Sequence, residues 1–346
     1  MKPPLPPVGC YHNLPLILCI LPQPCYIKPS HRALFMRNTY NVNRRDFLRT
    51  SAVAVGAVLV APNFVSAEDQ APPKKIRTAA DQVELGNTGV TLSRLGFGTG
   101  TASGNVQRAL GHEGFNSLIR YAYDKGITYY DTAESYQTHS WLKEALKGLP
   151  REKLFIQTKM PGWGVKTADE AFEKIEKYLK ELGTDYIDSL LIHCQTTKDW
   201  DVKMAHVMEA MSKAREKKMI RVHGISSHSL PATRTAVASD WVQTLLVRIN
   251  PQGYITDTEE ESWNSPSSVK FIPEVVSQIK SAASKGKGLI AMKLIGEGNF
   301  KKAEDRQKAM DFVMAIEGIN SAVVGFKSAA EVDESIECMN SALKES

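Results

Sequence analysis

Four side chains suited to moving protons and holding charge stand along one stretch of the chain: Asp131, Tyr136, Lys159 and His193. A carboxylate, a phenol, an ammonium and an imidazole are common groups of general acid–base chemistry. Three of them close short apolar runs, at 128–131, 154–159 and 186–193. Tyr136 lies five residues past Asp131, enough chain to turn back over the end of its strand. Singly, each has a plain structural reading. Asp131 would cap the helix that follows, Lys159 would be a solvated strand terminus, His193 a satisfied core histidine, and Tyr136 a rim aromatic. Together, at the same register of successive strands, they form a constellation, because burying each alone would be costly.

The elements that must position them are legible as alternation. Short apolar runs at 95–98, 128–131, 154–159, 186–193, 220–225, 244–249, 289–292 and 322–324 read as buried strands. Amphipathic stretches at 114–125, 139–147, 168–182, 202–217, 230–239, 273–285, 303–315 and 329–343 read as the helices between and after them. In 168–182, Ala168, Ala171, Ile175, Leu179 and Leu182 form one stripe, with acids and lysines opposite. Gly126 and Gly183 stand where a helix end needs a left-handed residue. Before the first pair, two alternating runs flank Gly86-Asn-Thr-Gly89 and predict a hairpin. Eight strand–helix pairs predict a single α/β domain over 82–346, a (β/α)8 TIM barrel with the hairpin capping its bottom. An open doubly wound sheet would want Gly-x-Gly-x-x-Gly directly after a strand, and none occurs. In a barrel of this kind the strand ends carrying Asp131, Lys159 and His193 form the catalytic face.

Composition bounds the function. The 346 residues are 42% hydrophobic and 23% charged, with 5 Cys, which excludes a disordered chain, a disulfide scaffold and a polytopic membrane protein. The net charge of +5 is concentrated in residues 1–67, which hold seven Lys or Arg and the single acid Asp46. The remainder has 36 basic against 37 acidic residues, so a nucleic-acid partner has no electrostatic footprint. Past residue 67 only Cys194 and Cys338 remain, too few for a zinc site, and no metal is expected.

The strings Gly126-Ile-Thr-Tyr-Tyr-Asp131-Thr-Ala-Glu-Ser-Tyr136, Phe155-Ile-Gln-Thr-Lys159 and Leu190-Leu-Ile-His193 resemble the aldo-keto reductase family, as do Leu95-Gly-Phe-Gly-Thr99 and Val222-His-Gly-Ile-Ser226-Ser227. The resemblance spans about residues 82–343. It implies a nicotinamide-dependent reductase of an aldehyde, ketone or sugar carbonyl, or the reverse oxidation. Tyr136 would be the proton donor, Lys159 would lower its pKa from about 10, Asp131 would hold the ammonium, and His193 would orient the carbonyl oxygen. For the cofactor, NADP or NAD, it implies contacts from Gly98, Thr99 and Asp131, from Ser226 and Ser227, from Ala291, Met292, Lys293 and Leu294, and from Gly325, Lys327, Ser328, Glu334 and Ser335.

Several of these positions depart from the family pattern. Ser227 replaces an Asn that holds the nicotinamide carboxamide, Met292 replaces a stacking Tyr, and Leu246 stands where a Gln is common. Lys293 is placed to meet a pyrophosphate, with Gly296 and Gly298 permitting close approach. Glu331 occupies the place of an Arg that completes a 2′-phosphate clamp with Lys327 and Ser328, so a preference for NADP is not implied. Gln195–Trp200, the polar loop 251–268 and Trp163 are candidates for setting substrate choice.

The N-terminal region reads separately. Asn43-Arg44-Arg45-Asp46-Phe47-Leu48-Arg49 resembles the twin-arginine export signal, followed by an apolar run at 51–60 and the small residues Val65-Ser66-Ala67 of a cleavage site. The run is shorter than the roughly 20 apolar residues a bilayer span needs. A signal peptide at 36–67 is therefore expected, followed by a linker at 68–81. The twin-arginine machinery would be its partner, the periplasm its destination, and no stable membrane span would remain after cleavage. Residues 1–35 hold eight of the 17 prolines and three of the five cysteines, and translation is expected to start at Met36. Export motivates a second functional reading, a nicotinamide-binding or sensory barrel with little turnover.

Overall fold

The computed structural model describes residues 77–266 and 268–345. The expected signal peptide, the extension before it and most of the linker lie outside the described residues.

The hairpin comes first, β1 (Gln82–Glu84) and β2 (Thr91–Ser93), paired antiparallel. The chain then alternates through β3 (Leu95–Gly98), α1 (Asn105–Arg108), α2 (Gly111–Asp124), β4 (Tyr129–Asp131), α3 (His139–Leu146), β5 (Phe155–Pro161) and α4 (Ala168–Leu182). It continues through β6 (Ile187–Gln195), α5 (Trp200–Lys203), α6 (Ala205–Glu216), β7 (Ile220–Ser227), α7 (Leu230–Ala238) and β8 (Thr244–Arg248). The last elements are α8 (Ile272–Ser284), β9 (Gly288–Met292), α9 (Ala303–Met314), β10 (Ser321–Gly325) and α10 (Ala329–Glu345). Strands β3 to β10 pair in parallel, each with the next, and β10 pairs back onto β3 to close an eight-stranded barrel. All eight expected strands are present.

Local chemistry explains the best-defined helix. Thr167 accepts a hydrogen bond from the Glu170 amide at 3.1 Å, and the Glu170 carboxylate accepts from the Lys166 amide at 2.7 Å. The Thr167 cap opens α4, with the Glu170 carboxylate taking the amide one residue before it, and Gly183 closes the helix in the left-handed conformation at φ 65°. Ala171, Ile175, Tyr178 and Leu182 form its buried stripe. The expected single helix over 202–217 is instead two, α5 and α6, broken at Met204. The buried Trp200 indole donates to the Ala232 carbonyl at 3.1 Å and holds the short α5 against α7.

Inside the barrel, Tyr129, Phe155, Leu191, Val222, Leu246, Ile290 and Val323 form one apolar column with Leu85, Val90 and Leu92 of the hairpin. The hairpin therefore plugs the barrel. Its Asn87 amide donates to the Gly286 carbonyl at 2.8 Å, just ahead of β9, which places the plug at the N-terminal end. Each such fully buried leucine is worth about 1.5–3 kcal/mol of apolar transfer. The opposite, C-terminal end is left open for polar side chains.

Candidate active site

Asp131 ends β4, and Lys159 and His193 lie near the ends of β5 and β6. The Lys159 ammonium donates to both Asp131 oxygens at 2.7 Å and to the Thr132 carbonyl at 2.8 Å. All three of its N–H groups are thereby used. The pair is buried, with side-chain exposures of 1% and 7%. Tyr136 reaches back through a 3-10 turn, Glu134–Tyr136, and lays its ring over the ammonium, 4.9 Å from Nζ to the ring centre. Its hydroxyl lies 3.4 Å from His193 Nε2, and His193 Nδ1 lies 3.5 Å from the Ser135 hydroxyl. The four side chains singled out in the sequence thus meet at one place.

Further neighbours hold the tyrosine loop. A Cβ at Gly100 would stand 2.4 Å from the Tyr136 ring, and one at Gly104 would stand 2.5 Å from its carbonyl oxygen. Only glycine leaves room for the ring. Arg108 donates to that same carbonyl at 3.0 Å. Thr99 and Thr132 each share a 2.8 Å hydroxyl contact with Thr138 behind the loop.

The electrostatics correct one expectation. Burial, reinforced by the Asp131 charge, holds the Tyr136 phenol well above its ordinary range rather than below it. Lys159 does not reverse this, since its N–H groups point at Asp131 and Thr132, and burial also pulls the ammonium down. His193 is held at about 3 by burial and by the charges of Lys159 and Lys293. Its imidazole is neutral at physiological pH, able to donate or accept one hydrogen bond at Nε2.

A cavity of about 550 Å³ runs from Gly98, Asp131, Tyr136 and Lys159 towards the start of α10. A larger groove of about 760 Å³ opens elsewhere, between the hairpin turn and the end of α6, and touches none of these residues. Of the residues expected at a cofactor, Gly98, Asp131, Met292, Lys293, Leu294, Gly325, Lys327, Glu334 and Ser335 line the first cavity, as does Leu246. Thr99, Ser226, Ser227, Ala291 and Ser328 are not in its lining. The Ser226 hydroxyl accepts from the Cys194 amide at 3.0 Å, and Ser227 is engaged with the Ser229 carbonyl and the Thr233 hydroxyl. Ser328 accepts from the Glu331 amide at the start of α10.

Most of the cavity's cations are paired with carboxylates. Lys293, at φ 65°, contacts Glu297, itself at φ 52°, and burial together with Arg248 and Lys159 lowers its ammonium to about 8. Arg306 holds Glu334 at 2.5 Å, and Lys327 faces Glu331 at 3.7 Å. Glu331 also accepts the Lys327 amide at 2.9 Å. The polar loop past β8 is anchored by Arg248, which meets Asp257 at 2.6 Å with both side chains buried. Trp163 and Trp263 both stand exposed, and the Trp163 ring lies 6.1 Å from that of His193. Among the described residues, no group of three His, Cys, Asp or Glu is arranged to hold a metal ion.

The family model described as the aldo/keto reductase family matches residues 94–315. The chain belongs to the aldo/keto reductase family. This aldo/keto reductase is 28% identical over 180 residues to methylglyoxal reductase DkgB of Salmonella typhi, covering 50% of this chain and 62% of that one. It is 34% identical over 123 residues to aldehyde reductase YPR1 of Saccharomyces cerevisiae, covering 35% and 36%. The chain therefore spans less than two thirds of the length of either relative. In three dimensions it is similar to the aldo-keto reductase AKR11C1 from Bacillus halodurans in its holo form, with TM-score 0.58, 17% identity, and coverage of 77% of this chain and 95% of that one. That likeness is one of fold.

Proposed function

We propose that this aldo/keto reductase reduces a small aldehyde, ketone or sugar carbonyl, with a nicotinamide dinucleotide lying along the mouth cavity. The observation that carries the reading is the convergence of the Tyr136 hydroxyl and His193 Nε2, 3.4 Å apart, above the buried Lys159–Asp131 pair. Tyr136 lines the cavity and His193 does not, so a carbonyl oxygen would meet both donors only where it lies against the tyrosine hydroxyl. The dinucleotide, when bound, supplies hydride to the carbonyl carbon. Tyr136 donates the proton as charge gathers on the oxygen, and neutral His193 orients that oxygen through its Nε2–H. Lys159, fixed by Asp131 and Thr132, holds a positive charge beneath the phenol ring.

The cavity suits a dinucleotide. Gly298 has open space where a Cβ would be, Met292 and Leu246 give an apolar floor, and Lys293, Lys301, Arg306 and Lys327 supply cations along its length. A 2′-phosphate fits less well, because the Lys327 amide that would receive it already donates to Glu331. The reading therefore includes use of NADH at least comparable to NADPH. Methylglyoxal is a suitable first substrate, since a relative is named for its reduction. Loss of NADH or NADPH absorbance with a panel of carbonyls tests the reading. No turnover with any of them overturns it.

The second reading, a binding barrel with little turnover, is favoured by the carboxylates at Glu297, Glu331 and Glu334 and by the engaged hydroxyls of Ser226 and Ser227. Export through the twin-arginine route to the periplasm is part of the proposal and rests on the Asn43–Arg49 string and its sequel. That route carries folded proteins, so a dinucleotide could be loaded before export. Among the described residues no helix is long and apolar enough to cross a membrane.

A further inference from the structure

Beneath the Lys159–Asp131 pair lies a buried amide that none of the family strings assigns a role. Gln157 stands on β5 between its register partners Asp131 on β4 and Ser189 on β6. It is fully buried, as is Ser189. Its Nε2 donates to Asp131 Oδ1 and to the Tyr129 hydroxyl, both at 2.8 Å, and its Oε1 accepts from the Ser189 hydroxyl at 2.9 Å. The chemistry fixes the orientation of this amide. Ionised Asp131 offers only acceptors, so the nitrogen must face it, and Ser189 is then left to donate to the oxygen.

We infer that Gln157 is a positioning residue, which with Ser189 aims the Asp131 carboxylate so that Lys159 is held beneath the ring of Tyr136. The inference rests on the reductase reading of the site. Asp131 Oδ1 accepts from both Gln157 and Lys159, whereas Oδ2 accepts from Lys159. Without the amide the carboxylate could rotate about its side chain and carry the ammonium with it. The interior column offers few other donors, because Phe155, Leu191, Val222 and Leu246 are apolar and the Tyr129 hydroxyl is the donor nearest the amide. The titratable or charged groups facing the amide are Asp131 and Tyr129 from β4, with Lys159 beyond them on β5. A core polar residue needs only a partner; Gln157 has the one carboxylate that meets the ammonium.

Three variants test this: Gln157→Met, which keeps volume and removes the donor; Gln157→Glu, which keeps shape and exchanges the N–H for an oxygen; and Ser189→Ala, which frees the amide to turn. Turnover of methylglyoxal with NADH and NADPH is measured from acid to alkaline pH, with melting of the ligand-free protein over the same range. A hydrogen bond to a charged group is worth roughly a 10- to 100-fold change, so kcat of Gln157→Met should fall by about that factor with KM nearly unchanged. Gln157→Glu should be worse than Gln157→Met at neutral pH, where two carboxylates face each other. It should recover as pH falls, because the introduced carboxyl, once protonated, can again donate to Asp131. The same acid-side recovery should appear in the melting temperature of the ligand-free Gln157→Glu protein. Wild-type kcat and pH profile in Gln157→Met would overturn the inference, as would parallel pH profiles for the Met and Glu variants. If Gln157→Met does not fold, unchanged kcat in Ser189→Ala overturns it and a several-fold loss supports it. A wild type without turnover sinks the reductase reading instead, and the melting comparison still decides whether Gln157 is coupled to Asp131.

Discussion

Replacing Glu331 by Arg should raise affinity for NADPH and leave affinity for NADH nearly unchanged. Glu331 closes a reciprocal cap at the start of α10: Ser328 accepts the Glu331 amide at 3.3 Å, and the Glu331 carboxylate accepts the Lys327 amide at 2.9 Å. The position that would welcome an anion is thus filled by the chain's own carboxylate. A 2′-phosphate drawn to Lys327 and Ser328 would sit about 5 Å from it, and at that distance in water each pair of unit charges is worth roughly 0.8 kcal/mol. The water value is appropriate because the Lys327 and Glu331 side chains are 66% and 37% exposed. Physiological salt roughly halves the figure, to about 0.4 kcal/mol. The phosphate carries close to two negative charges and the substitution changes the site by two, so the swing is four unit pairs, about 1.6 kcal/mol or roughly 15-fold. Glu331→Gln should give about half that energy, near a 4-fold gain. The assay is titration of each nucleotide by quenching of intrinsic fluorescence, read as the ratio of the two dissociation constants so that any loss of helix capping cancels. A wild type that already prefers NADPH by a thousandfold, or a ratio unmoved in Glu331→Arg, would refute the reasoning.

Four further outcomes are expected. Tyr136→Phe should lower kcat by at least about 100-fold, the scale of a lost general acid, with nucleotide affinity retained; equal turnover would remove the mechanism. Nucleotide affinity should decline as pH rises through about 8, because Lys293 is charged below that value and neutral above it; Lys293→Met should flatten this dependence in the same titration. Asp257→Ala should destabilise the protein by roughly 3–5 kcal/mol in denaturant melts, since it leaves the buried Arg248 guanidinium without its anion. Replacing Arg44 and Arg45 by Lys should leave precursor in the cytoplasm, because Lys carries the charge without the planar fork; normal processing in fractionated cells would argue against this route.

The sequence by itself determined what short-range chemistry encodes. The alternation of apolar runs and amphipathic stripes carries the eight strands and the barrel, and α4 runs from Ala168 to Leu182 as expected because Thr167, Glu170 and Gly183 write both ends locally. The four site residues were visible because polar side chains at the ends of apolar strands are costly unless they meet. Which groups they meet was decided only by tertiary structure. Lys159 spends its N–H groups on Asp131 and Thr132, 28 and 27 residues away, so the phenol above it is governed by burial rather than by the ammonium. Ser226 and Ser227 read as cofactor ligands in a one-dimensional string, and only the structure shows that strand register brings Ser226 the Cys194 amide and packing brings Ser227 the Thr233 hydroxyl. Gln157 carries no local mark at all, and its place beside Asp131 follows from the pairing of β4 with β5. Glu331 is the intermediate case: its charge opposes a 2′-phosphate in any conformation, but only the turn into α10 seats it on the Lys327 amide. Helix periodicity and capping act within a few residues, whereas hydrogen-bond partners are chosen by the register of strands whose residues lie about thirty positions apart.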